Sequence, residues 1–180
     1  MRRYSVSARA RWIGFPSKTL TNPIMFLLIA ATVLADQLAK AAALSLLSPG
    51  TAIPVVPGFN LALGFNEGSS FGMLSGTMAG RPLLMAALTG ALTLIFAIIA
   101  FRARHPAERA GFALVVGGAL GNIVDRLRQG AVTDFLDLYW RDWHWPTFNV
   151  ADVAITLGAL CILAASLPLR RRKEPVLDRS

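Results

Sequence analysis

The sequence is poor in the residues that build metal and redox sites. It has one cysteine, Cys161, and two histidines, His105 and His144, in 180 residues. A single cysteine excludes an internal disulfide, and no Cys/His spacing suits a metal ion. Cys161 lies inside an apolar run and reads as a buried, inert thiol. Charge is also scarce: charged residues make up 16% of the chain and hydrophobic ones 54%. That balance excludes disorder and argues against a water-soluble globule. The net charge of +8 would suit nucleic acid, but most basic residues stand in short flanks of apolar runs. There they orient a membrane protein, so no nucleic-acid partner is expected.

What the chain does have is apolar runs long enough to cross a bilayer. Residues 1–22 form a basic segment with Arg2, Arg3, Arg9, Arg11 and Lys18 and no acid. The apolar run from Pro23 follows as in a signal peptide, but Asp36 and Lys40 interrupt it without a cleavage site, so 24–43 reads as an uncleaved first span. Twenty helical residues cover about 30 Å, the depth of the hydrocarbon core. Residues 82–101, 110–126 and 150–169 read as three further spans. Between the first two, Pro49, Pro54 and Pro57 rule out a long helix over 44–81, and the segments near 53–56 and 59–65 read as short strands. The polar stretch from Asn66 to Gly72 reads as a turn, or as backbone that approaches a substrate. Gly117 and Gly121 give the third span a small-residue face for close helix packing. Residues 127–149 read as a second large loop, with Tyr139, Trp140, Trp143 and Trp145 as an interfacial belt and His144 among them. Residues 170–180 form a basic tail. His105, between the second and third spans, reads as a solvated loop residue.

Basic residues flank the N-terminus, the 102–109 connection and the C-terminus. The positive-inside rule therefore puts both termini in the cytoplasm and both large loops outside. Asn66, Asn122, Asp125, Arg126, Asp134, Asn149 and Asp152 then all fall on the outer side. Ionisable residues at a membrane boundary mark a functional site. Asp36 and Lys40, four apart, read as an ion pair that makes two charges tolerable near lipid.

Two carboxylates brought together cannot easily both ionise, so such a pair shares a proton. One member can then activate water while the other donates to a carbonyl oxygen. Asp134 and Asp152 are the pair chosen, with Asn66, Asn122, Asn149 and Arg126 to position a peptide or an oxyanion. Asp125 and Asp137 compete for the role. Asp125 reads equally as a partner of Arg126 or a brace, and Asp137 as a solvated loop charge. Asp152, at the start of a span, also reads as a simple helix cap. A proton or cation path through Asp36, Asp125 and Asp152, and a non-catalytic assembly subunit, are the readings from other classes.

Five blocks carry a family resemblance: Asp36-Gln-Leu-Ala-Lys40, Asn66-Glu-Gly-Ser-Ser-Phe71, Gly121-Asn-Ile-Val-Asp-Arg126, Val132-Thr-Asp-Phe135 and Phe148-Asn-Val-Ala-Asp152. In this order and with four spans, the chain resembles the lipoprotein signal peptidases, the bacterial type II signal peptidases. The resemblance covers roughly residues 24–169. It implies a mostly α membrane protein of the bacterial inner membrane, with four transmembrane helices and a small extracytoplasmic β-rich cradle with a short helical lid. The peptidase domain would then be 23–169. The implied activity is an aspartic endopeptidase that removes the signal peptide of a prolipoprotein by cleaving before a diacylglyceryl-modified cysteine. Asp134 and Asp152 match the family's catalytic pair. Asn66, Gly68, Asn122, Arg126 and Asn149 match its positioning residues, and Asp36, Lys40 and Asp125 its structural support. No cofactor or metal is implied, and a single chain acting among membrane lipids is expected. Thr133 and Val153 depart from the family pattern, where an apolar and a small polar residue are common.

Overall fold

The computed structural model describes residues 22–68 and 81–167. The N-terminal segment up to residue 21, Ser69 to Phe71 of the second block, any lid within 69–80 and the basic tail lie outside the described residues. The described residues form four helices: α1 (Asn22–Leu46), α2 (Pro82–Arg102), α3 (Pro106–Gln129) and α4 (Val150–Ser166). The first three are long and apolar enough to cross a membrane; α4 is a shorter apolar helix of 17 residues. At 1.5 Å per residue α4 spans about 25 Å.

α3 is the helix around which the others pack. In its most apolar stretch 61% of residues are buried, against 17% in α1 and in α2. The other helices turn bulky apolar side chains outward, Leu27, Leu83 and Leu163 among them. In water that surface would aggregate, whereas in lipid it is solvated. Small residues bring the backbones close. A Cβ on Gly111 would stand 2.7 Å from the carbonyl oxygen of Gly158 on α4, and one on Gly121 2.5 Å from the Asp36 carboxylate on α1. The expected small-residue face is therefore real and serves two neighbours. Gly117 and Gly121 meet α1, and Gly111 and Gly118 meet α4.

Among the described residues four antiparallel strands form one sheet in the order β1-β2-β3-β4: β1 (Ala52–Val56), β2 (Phe59–Asn66), β3 (Val132–Trp140) and β4 (Trp143–His144). Pro57 and Gly58 join β1 to β2; Gly58 has φ 88°, a left-handed geometry that glycine adopts freely. Gly130 caps α3 in the same way, at φ 79° and ψ −9°, and turns the chain into β3.

The strands expected near 53–65 are present. The second large loop is not a loop: residues 132–140 form β3, which pairs with β2 along its length. Its two aspartates read as loop residues in sequence, but inside the sheet each has partners. Cys161 is half-buried rather than buried. α1 and α3 outrun the expected spans, α1 reaching Leu46 and α3 starting at Pro106, whereas α4 ends at Ser166, short of the expected 169.

Candidate active site

The site forms where the C-terminal ends of α1 and α3 meet the N-terminus of α4 and the strand β3. Asn149 is the N-cap of α4. Its side chain accepts the Asp152 backbone N–H at 3.0 Å, and the Asp152 carboxylate accepts the Asn149 N–H at 3.2 Å. This reciprocal cap satisfies two N–H groups that a helix start leaves open. The capping reading of Asp152 is thus correct, and it fixes where the carboxylate stands.

Asp134 lies on β3 and is 2% exposed. Asn149, fully buried, donates its side-chain amide to Asp134 at 2.6 Å. Asn122 on α3 donates its amide to the other oxygen of Asp152 at 2.9 Å. Asn66, the last residue of β2, hydrogen-bonds Asp134 through its side chain. The two carboxylates thus come from separate elements and share Asn149. Burial first, then the neighbouring charge of Asp152, push Asp134 up to about 6; the bonds from Asn66 and Asn149 pull the other way.

Arg126 stands in the electrostatic reach of Asp134, Asp152 and Asp125. One guanidinium nitrogen donates to the Asn122 carbonyl at 3.3 Å, while its Nε is buried without a hydrogen-bond partner among the described residues. Gly68, at φ 100°, donates its N–H to the Asn66 side chain at 2.8 Å and so holds that amide in place.

Behind the pair lies an ion cluster. Lys40 Nζ is 2.8 Å from Asp36 and 2.8 Å from Asp125, and donates to Asn122 Oδ1 at 2.9 Å. The i,i+4 pair read from sequence exists, and Asp36 is fully buried. Asp36 also accepts the Ala151 backbone N–H at 2.9 Å, anchoring the first turn of α4. Asp125 does not pair with Arg126. It accepts from Lys40, from Gln37 at 2.9 Å and from the Thr133 backbone N–H at 3.0 Å. The one side-chain oxygen of Asn122 accepts from both Lys40 and Asn149, so the amide faces Asp152 with its nitrogen.

One further residue escaped the sequence reading. Gln37 bridges Asp36, Asp125 and the Gly121 carbonyl. Its signal was its place between Asp36 and Lys40 in the first block. Asp137 is not solvated: it is 4% exposed and bound to Asn60 at 3.0 Å and to His144 at 2.8 Å. His105 is exposed, as expected. Among the described residues no group of three or more His, Cys, Asp or Glu is arranged to hold a metal ion.

Beside the pair a cavity of about 640 Å³ opens, lined by Asp152 and Asn66 and by apolar groups that include Leu138, Trp145, Phe148 and Val153. Lipid-facing helices, paired carboxylates and an apolar cavity at the helix ends together define a membrane enzyme. A profile of the signal peptidase (SPase) II family matches residues 28–168. The lipoprotein signal peptidase of Syntrophotalea carbinolica is 41% identical over 146 residues, covering 78% of this chain and 89% of that protein. That of Francisella tularensis subsp. novicida is 37% identical over 150 residues, covering 82% and 93%. A solved bacterial membrane enzyme, 26% identical, superposes with a TM-score of 0.73 over 84% of this chain and 97% of that one. The chain belongs to the signal peptidase II family.

Proposed function

We propose that this protein removes the signal peptides of bacterial prolipoproteins at the inner membrane, with Asp134 and Asp152 as its acid–base pair. The observation that carries the reading is the shared asparagine. Asn149 serves both carboxylates, one through its side chain and one through its backbone, at the mouth of an apolar cavity. Asp152 receives N–H donors on both oxygens, an arrangement suited to the ionised form. Asp134 carries the shared proton. Asp152 takes a proton from water as the water adds to the scissile carbonyl carbon. Asp134 protonates the carbonyl oxygen, and collapse of the tetrahedral species returns that proton while Asp152 protonates the leaving nitrogen. Arg126, with its unpartnered Nε, and the amides of Asn66 and Asn122 orient the peptide. Gly68 supports Asn66, while Asp36, Lys40 and Asp125 hold the helix ends together.

The substrate is a precursor cut before a cysteine that carries a diacylglyceryl group. The apolar cavity next to α4 suits acyl chains that stay in lipid while the peptide bond waits at the headgroup level. A single chain is taken as the working unit. Arg102 and Arg104 lie at the end of the bundle remote from the pair, which supports an extracytoplasmic site with both termini in the cytoplasm. The peptidase domain is taken as 23–169, with basic segments on either side.

A gel-shift assay in detergent micelles tests the substrate. Wild-type protein should cleave the diacylglyceryl-modified precursor and leave the unlipidated one intact. Equal cleavage of both would remove the lipid from the recognition, and no cleavage by folded protein would bring back the assembly-subunit reading.

A further inference from the structure

The rim of the groove is held by a titratable brace. The chain reverses after β3 and runs back along it as β4 and the segment 145–148. Trp145 N–H donates to the Leu138 carbonyl at 2.8 Å, and Phe148 N–H to the Leu136 carbonyl at 3.0 Å. Side chains alternate across a strand. Asp134 and Leu138 therefore share the face of β3 that borders the cavity, while Asp137 and Tyr139 lie on the opposite face. His144 sits on that opposite face, its ring stacked on Tyr139 with centroids 5.4 Å apart and planes at 22°. Its Nδ1 lies 2.8 Å and 3.0 Å from the two oxygens of Asp137. The next residue, Trp145, lines the cavity and packs edge-on against Trp143 at 5.8 Å.

Asp137 is buried and Asn60 on β2 fixes its other side at 3.0 Å. A carboxylate can only accept, so Nδ1 carries a hydrogen in both charge states of the ring. The second ring nitrogen, Nε2, is the one open to a further proton, and the His144 side chain is 53% exposed. With a neutral ring the contact is a hydrogen bond; with a protonated ring, an ion pair. The other charged residues of the hairpin, Arg141 and Asp142, are exposed. Asn60, from β2, is neutral. We propose that Asp137 and His144 are positioning residues that set the aromatic wall of the substrate groove from behind, and that protonation of His144 tightens it. Neither residue faces the cavity, so the brace acts on substrate binding rather than on the chemical step. This rests on the proposed function for its meaning in catalysis.

The test measures KM and kcat for the diacylglyceryl-modified precursor from about pH 5.5 to about pH 8, across the ordinary histidine range. Wild type is compared with His144→Gln, which keeps an N–H donor but cannot titrate. Wild-type KM should be about two- to fivefold higher at the alkaline end of this range than at the acid end, the scale of a half-exposed ion pair. In His144→Gln, KM should stay flat near the high-pH value, and the kcat profile should match wild type. Asp137→Asn should also flatten KM. A KM that follows pH alike in wild type and His144→Gln would overturn the brace, as would a loss confined to kcat. If wild type cleaves nothing, the proposed function fails, and substrate-free tryptophan emission decides the brace alone. A pH-dependent change present in wild type and lost in His144→Gln supports it, and identical titrations refute it.

Discussion

Asp134 concentrates the tension between stability and activity in one residue. Its folded-state value of about 6 exceeds the ordinary 3.8. The folded state thus favours the protonated form; that advantage is full below 3.8 and is lost as pH rises through about 6. At pH 7.5 the ionised group costs the fold about 3 kcal/mol, an upper figure because the group is coupled to Asp152. Asp134→Asn keeps the shape and can still accept from Asn149. It should therefore raise the thermal midpoint in detergent by a few degrees at neutral pH, with the gain shrinking toward about pH 4. A lowered midpoint at neutral pH would mean that the carboxylate is not under strain. With Asp134 as the proposed acid in turnover, activity should fall as pH rises past about 6. Asn66→Ala removes a bond to its ionised form. The alkaline limb of kcat should then move upward by about one to two units, the size of one hydrogen bond to a charged group. Asp137 and Asp125 show why single residues were partly illegible. Asp137's partners are seven and 77 positions away, and no local pattern announces them. Asp125 and Arg126 are neighbours in sequence, but consecutive helical residues point about 100° apart, so Asp125 looks to α1 instead.

At the scale of elements, the close α3–α4 contact places the pair. A Cβ on Gly118 would collide with the Ala151 carbonyl oxygen, a backbone atom one residue before Asp152. Gly118→Ala should lower both stability and kcat, since α4 must move and Asp152 moves with it; overpacking of this kind costs about 1–3 kcal/mol. Gly90→Ala is the matched control, because nothing stands within 4 Å of its Cβ. It should be neutral or stabilising by up to about 1 kcal/mol. Chemical denaturation in detergent with parallel activity assays distinguishes them, and equal effects would deny the close contact its role. The helices were legible because apolar length and the glycine spacing are local signals. The Asp36–Lys40 pair was legible because i,i+4 neighbours meet on any helix. β3 was not legible. Val132–Trp140 carries Asp134 and Asp137 among apolar residues, and those charges resemble a loop until β2, Asn60 and His144 supply their partners.

Across the whole molecule, the site residues gather at one end of the bundle and the α2–α3 connection lies at the other. The basic flanks alone imply this convergence. It gives a direct prediction for orientation. In a Cys161→Ala background, a membrane-impermeant maleimide should label Arg141→Cys in right-side-out spheroplasts and Ala107→Cys only after lysis. The reverse pattern would turn the enzyme over. The central claim is that two aspartates from separate elements perform one hydrolysis. It is tested most directly by offering the diacylglyceryl-modified precursor to wild type, Asp134→Asn and Asp152→Asn, each shown to be folded by its melting curve. The account predicts cleavage by wild type and a loss of at least about a thousandfold in either variant, as befits a general acid or base. Normal processing by either folded variant would contradict it.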